Sequence, residues 1–133
     1  MNVSITVDAH EVTQMLNRAP AQIDHAMRGG MEDATSYLLT IVKRYPSQRN
    51  GSTYVRTNTL MRSWSRRIEG AGLSMRGIVG SSAAIAPYNQ FVMNRDVQAA
   101  VHRGRWSTVQ DVVELNRAQV AQFFATRLQS VGR

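Results

Sequence analysis

The chain has 133 residues, of which 43% are hydrophobic, and a formal net charge of +7. This length and apolar content indicate one ordinary globular domain, spanning residues 1–133, and argue against a disordered chain. Cysteine is absent, which excludes a disulfide scaffold, a thiolate metal site and a cysteine nucleophile.

The sequence shows no membrane or secretion signal. The longest apolar runs are a few residues, far short of the roughly 20 needed to span a bilayer. Residues 1–7 lack the basic start and apolar core of a signal peptide. We therefore expect a product made in the cytoplasm, with no membrane contact.

Positive charge is concentrated in the middle of the chain. Residues 1–50 carry equal numbers of basic and acidic side chains, whereas residues 51–110 carry eight arginines against two acids. Lys43 is the one lysine among sixteen basic residues. Arginine keeps its charge in low dielectric and binds phosphate or carboxylate bidentately. The middle region has two interpretations: a solvated face with inter-subunit ion pairs, or a surface that faces nucleic acid.

The N-terminal pattern predicts a strand followed by two helices. Residues 2–7 alternate between polar and apolar, which is typical of a half-buried strand. Asp8 and Glu11 form a capping-box-like pair that opens a short helix through Leu16. Pro20 fits the first turn of the second helix, since its missing amide hydrogen is not needed there.

The second helix is the longest periodic segment. Its apolar residues recur every three or four positions as far as Tyr45, and Pro46 ends it. Gly29 and Gly30 lie in its middle, where each glycine costs about 1 kcal/mol relative to alanine. Either close approach of another backbone or a kink accounts for them.

A polar loop and a hairpin follow. Residues 46–53 contain no apolar anchor and an Asn50-Gly51 turn, so we predict a mobile loop. Residues 60–68 predict a strand, residues 70–72 a turn, and residues 73–80 a returning strand. On the first strand one face holds Leu60, Arg62, Trp64, Arg66 and Ile68, and the other holds Met61, Ser63, Ser65, Arg67 and Glu69. We expect Trp64 to fill the core, although stacking on bases is the alternative.

The C-terminal part ends in a helix. Residues 86–88 begin an element that residues 91–93 close, and residues 94–106 form either a short helical face or an arm lying on a neighbour. Ser107 with Gln110 makes a second capping box, and an apolar stripe interrupted by Asn116 follows it. The whole pattern predicts an α+β fold, in which a small antiparallel, hairpin-based sheet packs against a long N-terminal helix and a C-terminal helix.

The residues that usually carry catalysis are scattered. His10, His25 and His102 have no metal-ligand spacing with each other or with a carboxylate. Glu32 and Asp33 are adjacent, so on a helix they point about 100° apart and cannot act as a pair. We expect no enzyme, no cofactor and no metal site.

Four short motifs, in order, resemble a known protein family. Tyr54-Val-Arg56-Thr57-Asn58-Thr59-Leu60 with Ser63-Trp64 is similar to the aromatic-x-Arg-Thr-Gly-x-Leu-x-x-Ser-Trp signature of tailed-phage tail-component, or tail-completion, proteins. The other matches are Gly77-Ile-Val79-Gly80-Ser81, Ala86-Pro87-Tyr88 with Phe91-Val92, and Gln98-Ala99 with the basic loop His102-Arg-Gly-Arg-Trp106. They lie between residues 45 and 106.

Two positions depart from the family pattern. Asn58 stands where glycine is usual, and asparagine tolerates the left-handed conformation better than most residues. Asn94 follows Met93 where Phe-Gly or His-Gly is common, which leaves the end of that element open.

The resemblance implies a structural virion protein. Such proteins form rings, often sixfold, at the head–tail junction (neck) or proximal tail end, and join head to tail around the DNA channel. Implied partners are copies of the chain, head-closure or adaptor proteins, tail-tube or tail-terminator proteins, and genomic DNA without sequence preference. Tail completion, tail termination and head–tail adaptor roles stay open. The alternative is a nucleic-acid-binding module that uses the arginine-rich middle region.

Two sets of candidate site residues follow. The first set is expected at subunit or neck-partner interfaces: Gln48, Arg49, Tyr54, Arg56, Arg95, His102, Arg103, Arg105 and Trp106. The second set is expected to line the DNA channel: Arg62, Arg66, Arg67 and Arg76.

Overall fold

The predicted α+β architecture is confirmed. The computed structural model describes residues 3–8, 21–46, 59–71, 74–82, 89–98 and 100–131. Its elements are β1 (Val3–Asp8), α1 (Ala21–Val42), α2 (Thr59–Arg62), β2 (Trp64–Glu69), β3 (Arg76–Ser81), α3 (Asn89–Met93), a 3-10 turn (Ala100–His102) and α4 (Val109–Gln129). In this part of the chain the strands form an antiparallel sheet in the order β1-β3-β2, and the two long helices pack against it.

The register of the sheet separates an inner face from an outer face. Ile5 and Arg66 both pair with Val79 of the central strand. The inner rows also contain Val3, Val7, Trp64 and Ile68, whereas the outer rows contain Ser4, Thr6, Asp8, Ser65, Arg67 and Glu69. Because side chains alternate along a strand, the mainly apolar inner rows face the helices and the mainly polar outer rows face away.

Helix α1 lies close to both the sheet and α4 because two glycines make room for it. A Cβ added at Gly30 would lie 2.7 Å from Cδ1 of Phe124 and 3.1 Å from its Cα. A Cβ at Gly77 of β3 would collide with the side chains of Met31 and Thr35. The helix is continuous through its glycine pair, so close approach explains Gly30.

The core is built by α1, α4 and the inner face of the sheet. Trp64 is 3% exposed and packs with Val79, Leu38 and Val112, which confirms the expected core position of Trp64. A second cluster contains Met27, Met31, Ala34, Met75 and Phe124. Asn116, which interrupts the apolar stripe of α4, has hydrogen-bond partners for its side chain: it accepts from the Tyr37 hydroxyl and donates to the Val112 carbonyl.

The prediction that Pro46 ends the long helix is wrong by one turn. The helix ends at Val42, where the Lys43 amide donates to Leu39 O and the Arg44 amide donates to Ile41 O. The change from four-residue to three-residue spacing tightens the last turn. Tyr45 then leaves the helix axis and packs on Trp106.

The predicted start of the hairpin is also wrong. Residues 59–62 form a helical turn, and Ser63 closes it through its amide and hydroxyl, which both donate to Leu60 O. The strand begins only at Trp64. The hairpin itself is present, but its second strand begins at Arg76 rather than at residue 73, because Ser74 still belongs to the turn: its amide and hydroxyl both donate to Ala71 O. Gly70 in this connection has a φ of 71°, which needs glycine.

The capping box of the C-terminal helix lies one residue later than predicted. Thr108, not Ser107, is the N-cap, and its hydroxyl accepts from the Asp111 amide at 3.1 Å. The Asp111 carboxylate in turn accepts from the Thr108 amide at 3.0 Å. A carboxylate at this position also interacts favourably with the helix dipole, which Gln110 would not.

Some predicted elements lie outside the described residues. These are the body of the short helix after Asp8, the loop at residues 47–53 and the segment at residues 86–88. Among the helices that are described, none combines the length and apolar content that a membrane span requires.

Candidate interface surfaces

The four arginines predicted to line a channel do not share one surface. Arg67 and Arg76 project from the outer face of the sheet, whereas Arg66 belongs to an inner row. Arg66 lies on an edge strand, so its guanidinium stays exposed and reaches the Thr35 hydroxyl at 3.4 Å. Arg62 is exposed at the end of α2. The outer face therefore groups only two of the four.

Acidic residues balance these two arginines at one end of the outer face. Arg67 Nε lies 2.8 Å from a carboxylate oxygen of Glu69, and both side chains are largely exposed. Arg76 pairs in register with Asp8 on one side and Glu69 on the other. Exposed ion pairs of this kind contribute about 1 kcal/mol or less to folding, so Arg67 is held loosely.

The other end of the outer face is an open polar hollow. Its volume is about 350 Å³. Its lining includes small hydroxyl side chains, a glycine, an apolar side chain and an arginine: Ser4, Thr6, Ser65, Gly80, Ile78 and Arg67. Gly80 lies between Ser4 and Ser65 in the register, so the floor between the two serines is bare backbone.

The segment between residues 94 and 106 folds back on the chain. Gln98 is buried, and its side-chain amide donates to Val92 O at 2.7 Å and to Trp106 O at 3.0 Å. The Arg95 amide donates to Gln110 on α4. The segment is thus tied to α3 and α4, with a short 3-10 turn at Ala100–His102.

Arg95 is engaged within the chain. Its guanidinium donates to the Glu114 and Asp111 carboxylates, the latter at 2.7 Å. Hydrogen bonds to Glu114 and then to Asp111 raise the pKa of Arg95. The Thr108 amide, followed by Arg95, lowers the pKa of Asp111 below its usual range. Arg95 therefore stabilises the start of α4 as well as presenting charge at the surface.

The basic loop after this segment rests on aromatic residues. The Trp106 ring lies 4.8 Å from the Tyr45 ring in a tilted arrangement, and His102 meets Trp106 edge-on at 6.2 Å. The Trp64 indole N–H donates to the Tyr45 hydroxyl at 2.9 Å. Trp106 is half-buried, whereas Arg103 is exposed. Among these loop residues, Arg103 has the side chain most open to a partner.

Sequence reasoning missed three exposed apolar side chains. Leu115 on α4 is 81% exposed, and Phe91 and Val97, which flank Arg95 along the chain, are each nearly half exposed. The periodic pattern gives no indication that Leu115 is exposed, and it indicates only that Phe91 belongs to the short element that ends at residue 93. Aromatic residues and arginine are enriched at protein interfaces, so Phe91 extends the candidate interface that already contains Arg95.

Two further cross-links were also missed. Arg127 binds Asp33 through two hydrogen bonds of 2.8 and 3.0 Å, which join α4 to α1 and raise the pKa of Arg127. Tyr37 joins the same helices through Asn116. These pairs are 94 and 79 residues apart in sequence, and no local pattern indicates a pairing over such a separation.

Four predicted interface residues, Gln48, Arg49, Tyr54 and Arg56, lie outside the described residues. Within the described ranges, no cluster of three or more histidine, aspartate or glutamate side chains is arranged to hold a metal ion.

The motifs that carry the family resemblance meet in space. The hydroxyls of Ser63 and Ser81, which belong to two different motifs, are 2.6 Å apart and buried. Gln98 joins two more, since it binds the carbonyls of Val92 and Trp106. No protein-family model, curated protein or solved structure matches the chain.

Proposed function

We propose that this chain is a structural virion protein of a tailed phage. In this proposal it forms a ring at the head–tail junction or proximal tail end, and the ring joins head to tail around the DNA channel. A sixfold ring is the expected form, and its neighbours are head-closure or adaptor proteins on one side and tail-tube or tail-terminator proteins on the other.

The observation that carries the proposal is that the motifs meet in pairs and contribute Trp64, Val79 and Val92 to one buried cluster. The Ser63–Ser81 pair and the Gln98 bridge join segments that are 18 and up to 8 residues apart. These contacts are made by hydroxyl, amide and carbonyl groups that hold backbone segments together. These contacts support the interpretation that the motifs together specify one small folded domain. The resemblance to tail-completion proteins implies such a domain.

The surface chemistry is suited to assembly. A ring needs two different surfaces on each subunit, because its contacts are heterologous. The surface around Phe91, Arg95 and Val97 and the exposed Arg103 in the basic loop supply one candidate. Leu115 lies one helical turn after Asp111, a partner of Arg95, so it extends this same surface.

Head–tail joining tests the proposal. In particles made without the chain, we expect filled heads and free tails to accumulate separately, and the wild-type chain supplied from a plasmid restores joining. Arg103→Glu reverses an exposed charge without touching the core, so it should reduce joining at least tenfold while the protein stays folded.

A matched control is Arg117→Glu, which reverses an exposed charge on α4 away from the basic loop. It should leave joining near the wild-type level. Normal particles formed without the chain would refute the structural role, and equal effects of the two charge reversals would refute the loop as a contact.

The rival function is a nucleic-acid-binding module. The exposure of Arg62, Arg66, Arg67 and Arg76 favours it, because phosphate contacts dominate non-specific nucleic-acid binding. A chain that binds DNA but is absent from purified particles would support this function instead.

A further inference from the structure

The outer face of the sheet contains hydroxyl groups without a hydrogen-bond partner among the described residues. Ser4, Thr6 and Ser65 are exposed and line the hollow described above. In the described part of the chain, their side-chain hydroxyls make no hydrogen bond to protein. Three such donors around one hollow can all be directed at the same bound group.

The middle of the hollow admits a bulky group. Gly80 lies between Ser4 and Ser65, and a Cβ added there would already be in ordinary contact with Ser4 Cβ at 3.4 Å. Any larger side chain at this position would fill the space between the two serines. Because glycine occupies it, a ligand can reach the backbone floor of the sheet.

The side chains that line the hollow carry positive charge, and part of this charge is only weakly neutralised by a carboxylate. Arg66 and Arg67 both contribute to the lining, and Arg67 forms an ion pair with the exposed Glu69. An exposed pair is weak, so an anion in the hollow can compete with Glu69 for the guanidinium. Among the described residues, none of the side chains that line the hollow is acidic, which favours an anionic occupant.

We propose that this hollow binds the phosphate backbone of duplex DNA. Hydroxyl, arginine and backbone groups make most protein contacts to DNA phosphates, and such contacts carry no sequence information. Ile78 supplies an apolar contact for a sugar. This inference rests on the proposed function, which supplies the DNA. It adds that the outer face of the sheet is the side of each subunit that faces the channel.

Removal of the hydroxyls tests the site without changing charge. The variant Ser4→Ala/Thr6→Val/Ser65→Ala keeps the net charge at +7, so general attraction to DNA is unaltered. With a fluorescent 30-base-pair duplex and the full chain, we expect the dissociation constant to rise about tenfold at fixed salt. The slope of log K against log salt should not change, because that slope counts neutralised phosphates. Circular dichroism checks that the variant is folded.

Two arginine variants separate a local contact from net charge. Arg67→Gln and Arg117→Gln each remove one exposed positive charge, but only Arg67 lines the hollow. We expect Arg67→Gln to reduce the salt slope by about one unit, as loss of one phosphate contact does. Arg117→Gln should leave the slope unchanged.

A gain of binding is expected when the competing carboxylate is removed. Glu69→Gln frees Arg67 and raises the net charge by one, and Asp96→Asn raises it equally at an exposed site on another surface. Glu69→Gln should tighten DNA binding several-fold more than Asp96→Asn does.

The results distinguish this inference from the proposed function. Binding within twofold of wild type by the hydroxyl-free variant, equal slopes for the two arginine variants, or no binding by the wild-type chain at 20 mM salt overturns the hollow as the DNA site. None of these results affects the head–tail joining experiment. A chain that is dispensable for joining yet shows the expected binding pattern would keep the hollow and refute the neck role.

Discussion

Two adjacent glycines in α1 meet different neighbours, so each should respond differently to alanine. At Gly30 the added methyl group would press on the ring and Cα of Phe124 in α4. Overpacking of this kind costs about 1–3 kcal/mol, which exceeds the roughly 1 kcal/mol that alanine gains in helix propensity. We predict that Gly30→Ala lowers the free energy of unfolding by about 1 kcal/mol, measured by urea denaturation.

Gly29→Ala is the matched control. Its added methyl group would lie 3.2 Å from the guanidinium of Arg127, which pairs with Asp33 near the surface, and a partly exposed pair of this kind contributes about 1 kcal/mol or less. The helix propensity gain should therefore dominate, and the variant should be about 0.5 kcal/mol more stable than wild type. Equal stabilisation by both substitutions would show that the two helices are not in close contact at Gly30.

Gln98 is the residue that fixes the segment before α4. Replacement by leucine preserves much of the side-chain volume but leaves the carbonyls of Val92 and Trp106 without their donor. An unsatisfied buried polar group costs about 1–3 kcal/mol. We predict that Gln98→Leu lowers the free energy of unfolding by about 2 kcal/mol, whereas Gln119→Leu at an exposed position of α4 changes it by less than about 0.5 kcal/mol.

Buried apolar residues were predictable one by one, but buried polar residues were not. Trp64 and Val79 stand in alternating strands, and such alternation indicates a buried face. Gln98 lies in a segment with two competing interpretations, and its role depends on carbonyls of residues that the chain brings together only after folding. Sequence position contains no signal for that geometry.

At the scale of elements, the pattern predicts which elements exist better than where they end. The apolar stripe of α1 continues to Tyr45, but Tyr45 is partly buried against Trp106 outside the helix. At α4, Ser107 and Thr108 are both acceptable N-caps. The choice falls on Thr108 because Asp111, three residues later, is the better partner for a helix N-terminus.

The capping box of α4 predicts a dependence of stability on pH. The Thr108 amide and then Arg95 hold the pKa of Asp111 below its ordinary value, so the ionised form stabilises the folded state. This stabilisation is complete above the unfolded pKa of about 3.9 and is lost as pH falls through the lower folded pKa. We predict that Asp111→Asn flattens the decline of melting temperature between about pH 4 and pH 2.

The control for this pH series is Asp96→Asn, since Asp96 is exposed and its carboxylate lies outside the box. Its melting temperature should fall with pH as steeply as that of wild type. If Asp111→Asn and wild type lost stability in parallel, the contribution of the carboxylate to the start of α4 would be refuted.

At the scale of the whole molecule, the fold class and the hairpin could be predicted from periodicity. Which charged side chains share a surface could not. Alternation placed Arg66 and Arg67 on opposite faces, as observed, yet the channel prediction grouped them because it counted charge along the chain. Alternation also placed Glu69 on the face of Arg67, as observed, but only the register shows that Glu69 lies across from Arg76. The hollow likewise depends on Ser4 and Ser65 meeting across β3, 61 positions apart in the numbering.

The position of the chain in the assembled particle is the most direct test of the central claim. Electron cryo-microscopy of particles produced from the genome that encodes the chain should show a ring of copies between head and tail. Each copy should match the β1-β3-β2 sheet with α1 and α4 on its inner face, and the outer face should be turned to the channel. A purified, infectious particle that contains no density and no mass-spectrometric peptides for the chain would contradict the account.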